Sequence, residues 1–200
     1  ELTRAYGIFP AGGFLFDSTF ISKIVDRNGQ VIFDQQNEVD QHFRQVIDEK
    51  VAFIMAHLMR GVVESGTGWK IKSMNRPAAG KTGTANENMD AWFVGYTPEF
   101  ACGVWVGFDV KRIIGARETG GSSAVPIWLN FMQTFLEDRD GITAKELESA
   151  RNVNFDENPE KNPKSKIVDF VPPPGLETHW VYKSSGALAE QGAAGAILEY

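Results

Sequence analysis

The sequence predicts an α+β fold in which helices pack on an antiparallel sheet, followed by an irregular C-terminal tail. Three observations predict it. Apolar residues recur at three- and four-residue steps from Val51 to Val63. Three aromatic and β-branched runs follow at 78–85, 91–96 and 100–108, separated by short polar turns. A second apolar helical stretch begins after Ser122-Ser123.

Residues 1–6 start in mid-element, and a short apolar helix is expected to end at Gly12-Gly13, where glycine takes the left-handed conformation that other residues avoid. Phe20-Ile21-Ser22-Lys23-Ile24-Val25 and Val31-Ile32-Phe33 flank Asn28-Gly29, a strong hairpin signal. Asp48 is placed to cap a helix whose buried stripe would be Val51, Ile54, Met55, Leu58, Met59, Val62 and Val63, with Gly66 and Gly68 stopping it. The three runs then read as a meander, and 111–121 as a polar loop. Ser122 or Ser123 caps the closing helix, with Pro126 in its first turn and Ile127, Trp128, Phe131, Met132 and Phe135 on its buried side. After Leu136 the composition changes. Thr143-Ala144-Lys145-Glu146 has the form of a capping box, but 152–166 is polar and broken by proline, and Pro172-Pro173-Pro174 precedes a weakly patterned end. The expected organisation is residues 1–136 as one α+β unit and 137–200 as an extension of low order, pinned by Phe170 and Trp180.

The 200 residues are 42% hydrophobic and 23% charged, as in ordinary globular proteins. With 26 acidic and 20 scattered basic side chains, the net charge of −6 argues against a nucleic-acid partner. The single cysteine, Cys102, excludes an internal disulfide, and no run of about 18 apolar residues exists to span a membrane. The chain begins at Glu1 with neither a methionine nor a signal pattern, so it reads as part of something longer that would hold any anchor.

No cofactor or metal is expected, because His42, His57 and His179 lack ligand spacing. Cys102, in an apolar strand, reads as a core residue and His57 as a residue of the helix surface or core edge. Trp92, Phe93, Tyr96, Trp105 and Trp128 read as core rather than as a sugar platform, and Glu87 and Asp90 as turn residues rather than a catalytic carboxylate pair.

The chemistry concentrates at Gly80-Lys81-Thr82-Gly83-Thr84. A strand edge facing a cleft can hold an extended peptide by strand addition, and glycine at 83 allows close approach. Thr82 and Thr84 lie two residues apart, so both hydroxyls share one face and can reach a carboxylate. Lys81, on the other face or along the cleft floor, brings positive charge near the same anion, and the Thr84 backbone N–H is placed as one of two donors of an oxyanion hole. The blander reading is a turn at the start of a strand, with a solvated lysine.

Lys-Thr-Gly is one of three motifs of the active-site serine enzymes that bind penicillin, beside Ser-x-x-Lys and Ser-x-Asn. Gly61-Val62-Val63-Glu64-Ser65-Gly66-Thr67-Gly68, then 80–85, then Asp90-Ala91-Trp92-Phe93-Val94-Gly95-Tyr96-Thr97-Pro98, then Gly103-Val104-Trp105-Val106-Gly107-Phe108-Asp109 follow in family order, as do Thr119-Gly120-Gly121 and Ala124-Val125-Pro126-Ile127-Trp128. In these segments the chain resembles the transpeptidase domain of class A penicillin-binding proteins, of the 1A type, over residues 1 to about 136. The opening Ala5-Tyr6-Gly7-Ile8-Phe9 and the hairpin at 21–33 are also similar to that family.

The resemblance implies a penicillin-binding protein/serine β-lactamase-like fold and a serine DD-transpeptidase that cross-links peptidoglycan stem peptides. The serine of Ser-x-x-Lys attacks the D-Ala-D-Ala bond, D-alanine leaves, and an amine of a neighbouring stem peptide resolves the acyl-enzyme. β-Lactams mimic the dipeptide. By position, Lys81 supports the carboxylate and the electrostatics of the site, Thr82 and Thr84 bind the carboxylate, Gly83 keeps the strand approachable, and the Thr84 N–H serves the oxyanion. The resemblance also implies a bifunctional, membrane-anchored parent carrying a glycosyltransferase on the periplasmic side of the bacterial cytoplasmic membrane.

The departure from the family is that no serine from Ser18 to Ser185 is followed three residues later by lysine. Ser73-Met74-Asn75 spells Ser-x-Asn but ends six residues before Lys81, where the family has a turn, and reads as non-catalytic. The chain alone is therefore expected to form no acyl-enzyme. The alternative is a non-catalytic peptide- or partner-binding module. A serine β-lactamase fits poorly with the segment 92–98 and the long tail.

Overall fold

The structure, a computed structural model, describes residues 1–35, 43–150 and 167–200. His42 and the proline-broken stretch 152–166 lie outside the described residues. The chain divides into two compact units, 1–170 and 171–200.

The first unit is built on the meander β5 (Ala79–Thr84), β6 (Asp90–Tyr96) and β7 (Ala101–Gly107), antiparallel and in the order β5-β6-β7. Register pairs Thr82 with Phe93 and Thr84 with Ala91, then Phe93 with Val104. Period-two alternation therefore separates two faces. One carries Thr82, Thr84, Ala91 and Phe93; the other carries Lys81, Gly83, Trp92, Tyr96 and Trp105.

Helices cover both faces, the α+β layering expected from the sequence. Helix α1 (Leu2–Tyr6) and α2 (Glu49–Glu64) lie on the Tyr96 face, where Ala56, Met59, Ala79 and Tyr96 form one core cluster. Asp48 caps α2, accepting from the Lys50 N–H at 2.8 Å. On the Phe93 face lies α3 (Val125–Asp140), entered through a π-helical turn at Gly120–Ala124 with Pro126 near its start. Trp128 is fully buried there; its ring meets Phe93 edge-to-face at 5.3 Å, and its indole N–H donates to the Cys102 carbonyl at 3.0 Å. Burial of rings this large stabilises by about 2–3 kcal/mol each.

Both helices bury only part of the expected stripes, Met59 and Val63 on α2 and Trp128 and Met132 on α3. On α3 the residues facing the sheet are Val125, Trp128, Met132 and Leu136, while Ile127, Phe131 and Phe135 are 52%, 56% and 38% exposed. On α2 the buried residues are Ala52, Ala56, Met59 and Val63, while Val51 and Leu58 stand out in solvent. Each helix has two apolar stripes, and contact with the sheet selects one. On α2 it selects the stripe with the smaller side chains, which lets helix and sheet approach closely.

Elsewhere in this unit, β1 (Phe14–Phe16) pairs antiparallel with β4 (Phe43–Gln45). The expected hairpin is β2 (Lys23–Val25) with β3 (Val31–Asp34), turning at Gly29 with φ +83°. Asp26 holds that turn by accepting from the N–H groups of Gln30 and Asn28, which keep its carboxyl below the usual range.

The sequence placed a boundary after Leu136, but α3 runs on to Asp140 and stops at Gly141, φ +66°. Helix α4 (Ala144–Ser149) follows with the expected capping box at Thr143 and Glu146, and Ile142, Leu147 and Ala150 are buried. Arg76, in the stretch that leads into β5, is joined to this segment by an ion pair with Asp140 and a hydrogen bond to the Ile142 carbonyl, with both charged side chains nearly buried. Phe170 meets Tyr96 edge-to-face at 6.0 Å. In the second unit, β8 (His179–Tyr182) and β9 (Ala196–Glu199) form an antiparallel hairpin, so part of the expected low-order tail has regular pairing.

The hydrogen bond from Arg139, and then the one from Arg76, hold the Asp140 carboxyl below the usual carboxylate range. A depressed carboxylate contributes stability that is present above its unfolded pKa and lost as pH falls through its folded value. Urea unfolding should therefore be level near neutrality and weaken below about pH 4. Asp140→Ala, which strands a nearly buried guanidinium, should cost about 3 kcal/mol at pH 7. Unchanged neutral-pH stability would contradict this network.

Candidate functional site

β5 is an edge strand among the described residues. The Ala85 N–H donates to the Asp90 carbonyl at 2.9 Å, which makes 85 and 90 a hydrogen-bonded pair. Antiparallel alternation then turns the backbone groups of Gly80, Thr82 and Thr84 toward the free edge. Lys81 is exposed, and its ammonium donates to the Thr82 carbonyl on that edge at 2.9 Å. The strand thus offers outward N–H groups at 82 and 84 beside a positive charge.

The two hydroxyls share the opposite face from Lys81, as the two-residue spacing predicts, and each is held by a different segment. Thr84 Oγ1 accepts from the Gly120 N–H at 3.1 Å. Thr82 Oγ1 lies 2.8 Å from Thr67 Oγ1, in the Gly66-Thr67-Gly68 turn behind α2. Gly120 is seated against the ladder: a Cβ there would meet the Trp92 carbonyl oxygen at 2.3 Å and the Gly83 carbonyl oxygen at 2.7 Å. A Thr119–Ser122 capping box holds the turn, with Ser122 N–H donating to Thr119 Oγ1 and Ser122 Oγ accepting from the Thr119 N–H. Thr67 and Gly120 had no assigned role in the sequence; a Gly-Thr-Gly turn and a Thr-Gly-Gly loop flanking a Lys-Thr-Gly-Thr strand are the signals that could have found them.

The remaining candidates take structural positions. Burial raises the Cys102 thiol pKa, so it stays protonated and a poor nucleophile. Burial, with Tyr6 nearby, raises the Tyr96 phenol, whose hydroxyl contacts Met59 Sδ at 3.7 Å. The Ser73 hydroxyl donates to the Lys70 carbonyl and the Asn75 amide to the Ala144 carbonyl, so Ser-x-Asn here ends a 3-10 helix and ties it to α4. His57 stacks on Phe53, and His179 sits on the second unit's hairpin near Glu177. Phe93, Tyr96 and Trp128 are fully buried, whereas Trp92 and Trp105 form a partly exposed pair at 6.2 Å. The Trp105 indole N–H donates to Asp90 at 2.8 Å. Glu87 sits at φ +61° in the β5–β6 turn. Among the described residues, no three of His, Cys, Asp and Glu gather as a metal site, and no helix is long and apolar enough to cross a membrane.

The family model described as penicillin binding protein transpeptidase domain matches residues 1–133. The chain is 38% identical over 156 residues to penicillin-binding protein 1A of Neisseria gonorrhoeae, covering 77% of this chain and 20% of that protein. It is 32% identical over 170 residues to penicillin-binding protein 1A of Rickettsia bellii, covering 76% of this chain and 22% of that one. The chain thus spans about a fifth of the length of these relatives. Its fold matches the crystal structure of penicillin-binding protein 1A from Haemophilus influenzae with a TM-score of 0.76 at 23% identity, covering 100% of this chain and 31% of that one. The D,D-transpeptidase domain of a peptidoglycan glycosyltransferase from Eggerthella lenta matches with a TM-score of 0.51 at 26% identity, covering 70% of this chain and 32% of that one.

Gly120→Ala should destabilise the first unit by about 1–3 kcal/mol, because the added methyl meets ladder backbone rather than a flexible side chain. Calorimetric melting of the variant checks this, and an unchanged midpoint would mean that the loop is not seated on the strand.

Proposed function

The chain belongs to the penicillin-binding protein transpeptidase domain family, and on that premise we propose that it carries the peptide-binding wall of a peptidoglycan DD-transpeptidase that cross-links stem peptides by serine acyl transfer. The observation that carries this reading is the pair of threonine hydroxyls on one face of a free strand edge, with the Lys81 ammonium close by. A peptide carboxylate only accepts hydrogen bonds. The Gly120 N–H can only donate to Thr84 Oγ1, so the Thr84 proton is left to point at a ligand. Hydrogen bonds to such an anion contribute about 1.5–3 kcal/mol each.

In this reading a D-alanyl-D-alanine end lies along β5 as an added strand, with its carboxylate at Thr82 and Thr84 and Lys81 supplying field. The outward Thr84 N–H is one of two donors to the oxyanion that grows when the scissile carbonyl is attacked. The attacking serine and its lysine come from outside this chain, which holds no Ser-x-x-Lys. The exposed stripe of Ile127, Phe131 and Phe135 lines an open groove with Pro126, Asn130 and Thr134, an apolar surface that supports further covering polypeptide in the intact protein. The name of the Eggerthella lenta neighbour supports a parent that also carries a glycosyltransferase. Such a parent works at the periplasmic side of the cytoplasmic membrane, is anchored there, and takes β-lactams in place of its stem peptides.

Incubation with a fluorescent penicillin, followed by gel electrophoresis, tests this. The 200-residue chain should take no label and an N-terminally extended version should be labelled. Label on the short chain would overturn the missing nucleophile, and no label on the long one would favour a binding module. In the extended protein, Thr84→Val should slow labelling by about 10- to 100-fold.

A further inference from the structure

The two hydroxyls of the site differ in how they are held. Thr84 Oγ1 accepts from a backbone N–H, so its polarity is set by the protein alone. Thr82 Oγ1 faces another hydroxyl, Thr67 Oγ1 at 2.8 Å, and either atom could donate. Each hydroxyl has one proton. When an anion binds, the choice disappears: the anion accepts from Thr82, so Thr82 cannot also donate to Thr67, and Thr67 must donate to Thr82.

We infer that Thr67 is a positioning residue, whose hydroxyl donates to Thr82 Oγ1 and thereby turns the Thr82 proton onto the carboxylate of a bound peptide. This rests on the proposed carboxylate site. The backbone around Thr67 is held at both ends. The N–H groups of Gly66 and Gly68 both donate to the Val62 carbonyl at the end of α2, at 3.1 and 3.0 Å. On the other side, a Cβ at Gly121 would meet the Thr67 carbonyl oxygen at 3.1 Å, so the loop that supplies the Gly120 donor also packs on this turn. Thr67, Thr82, Thr84 and Gly120 thus form one row in which two outer groups donate inward and two inner hydroxyls are left to donate outward. A donor-only row favours a carboxylate and gives a neutral carboxamide no comparable gain. Thr67 itself is exposed, so loss of its hydroxyl leaves no buried group unpaired and the fold should tolerate it.

The test is a titration of the ¹⁵N-labelled 200-residue chain with N-acetyl-D-alanyl-D-alanine and, separately, its C-terminal amide, read at the amides of Thr82, Thr84 and Gly120. Thr67→Val should weaken binding of the acid by about 3- to 10-fold and leave the amide's binding unchanged. Thr67→Ser, which keeps the hydroxyl, should restore the acid's affinity. If Thr67→Val binds the acid as the unsubstituted chain does while Thr82→Val does not, the role of Thr67 is overturned and the carboxylate site stands. An equal loss for acid and amide would also overturn it, since that is the mark of a displaced strand. If the unsubstituted chain shows no shift at these amides with the acid, the carboxylate site falls and Thr67 with it.

Discussion

A close backbone approach underlies the site: Gly120 rests on the rung where Gly83 pairs with Trp92, at a distance that no side chain could share. That contact fixes the entrance of α3 relative to β5, and α3 in turn buries Trp128 on Phe93 behind the sheet. The core that supports the strand and the loop that polarises one of its hydroxyls are therefore set by one constraint. Interiors packed this tightly transmit small displacements instead of absorbing them.

The chemistry follows from where an antiparallel edge strand sends its groups. Backbone groups alternate between the ladder and the free edge, while side chains alternate between faces. On β5 this puts the outward N–H groups at the same residues whose hydroxyls share a face, 82 and 84, and leaves Lys81 on the reverse side with its ammonium at the Thr82 carbonyl. A peptide laid along this edge meets backbone donors, hydroxyl donors and a positive charge within a few residues.

The central meander, the 23–34 hairpin, helix α2 and two of the caps were legible because each has a local cause, whereas the cap expected at Ser122 or Ser123 was not: α3 begins after Ala124 without a side-chain cap, and Thr119 caps the turn before it. The spacing of Thr82 and Thr84, the Asp48 cap and the Thr143–Glu146 box all act within a turn or two of chain. What escaped depended on tertiary contact. The apolar stripes of α2 and α3 were read too widely: Met59, Val63, Trp128 and Met132 are buried as expected, but Ile127, Phe131 and Phe135 are as apolar as Val125, Trp128 and Met132 and only the sheet chooses between them. The helix past Leu136 is held by Arg76, 64 residues upstream of Asp140, and no periodicity reveals such a partner. Thr67 and Gly120 were quoted only as parts of motifs, since their contacts with Thr82 and Thr84 join residues 15 and 36 apart.

The most direct measurement is a crystal structure of an N-terminally extended protein with a D-alanyl-D-alanine peptide bound. The account predicts the peptide extended along β5, its terminal carboxylate within about 3.2 Å of both threonine Oγ1 atoms. A carboxylate bound elsewhere, or Thr82 and Thr84 covered by another segment of the protein, would contradict it.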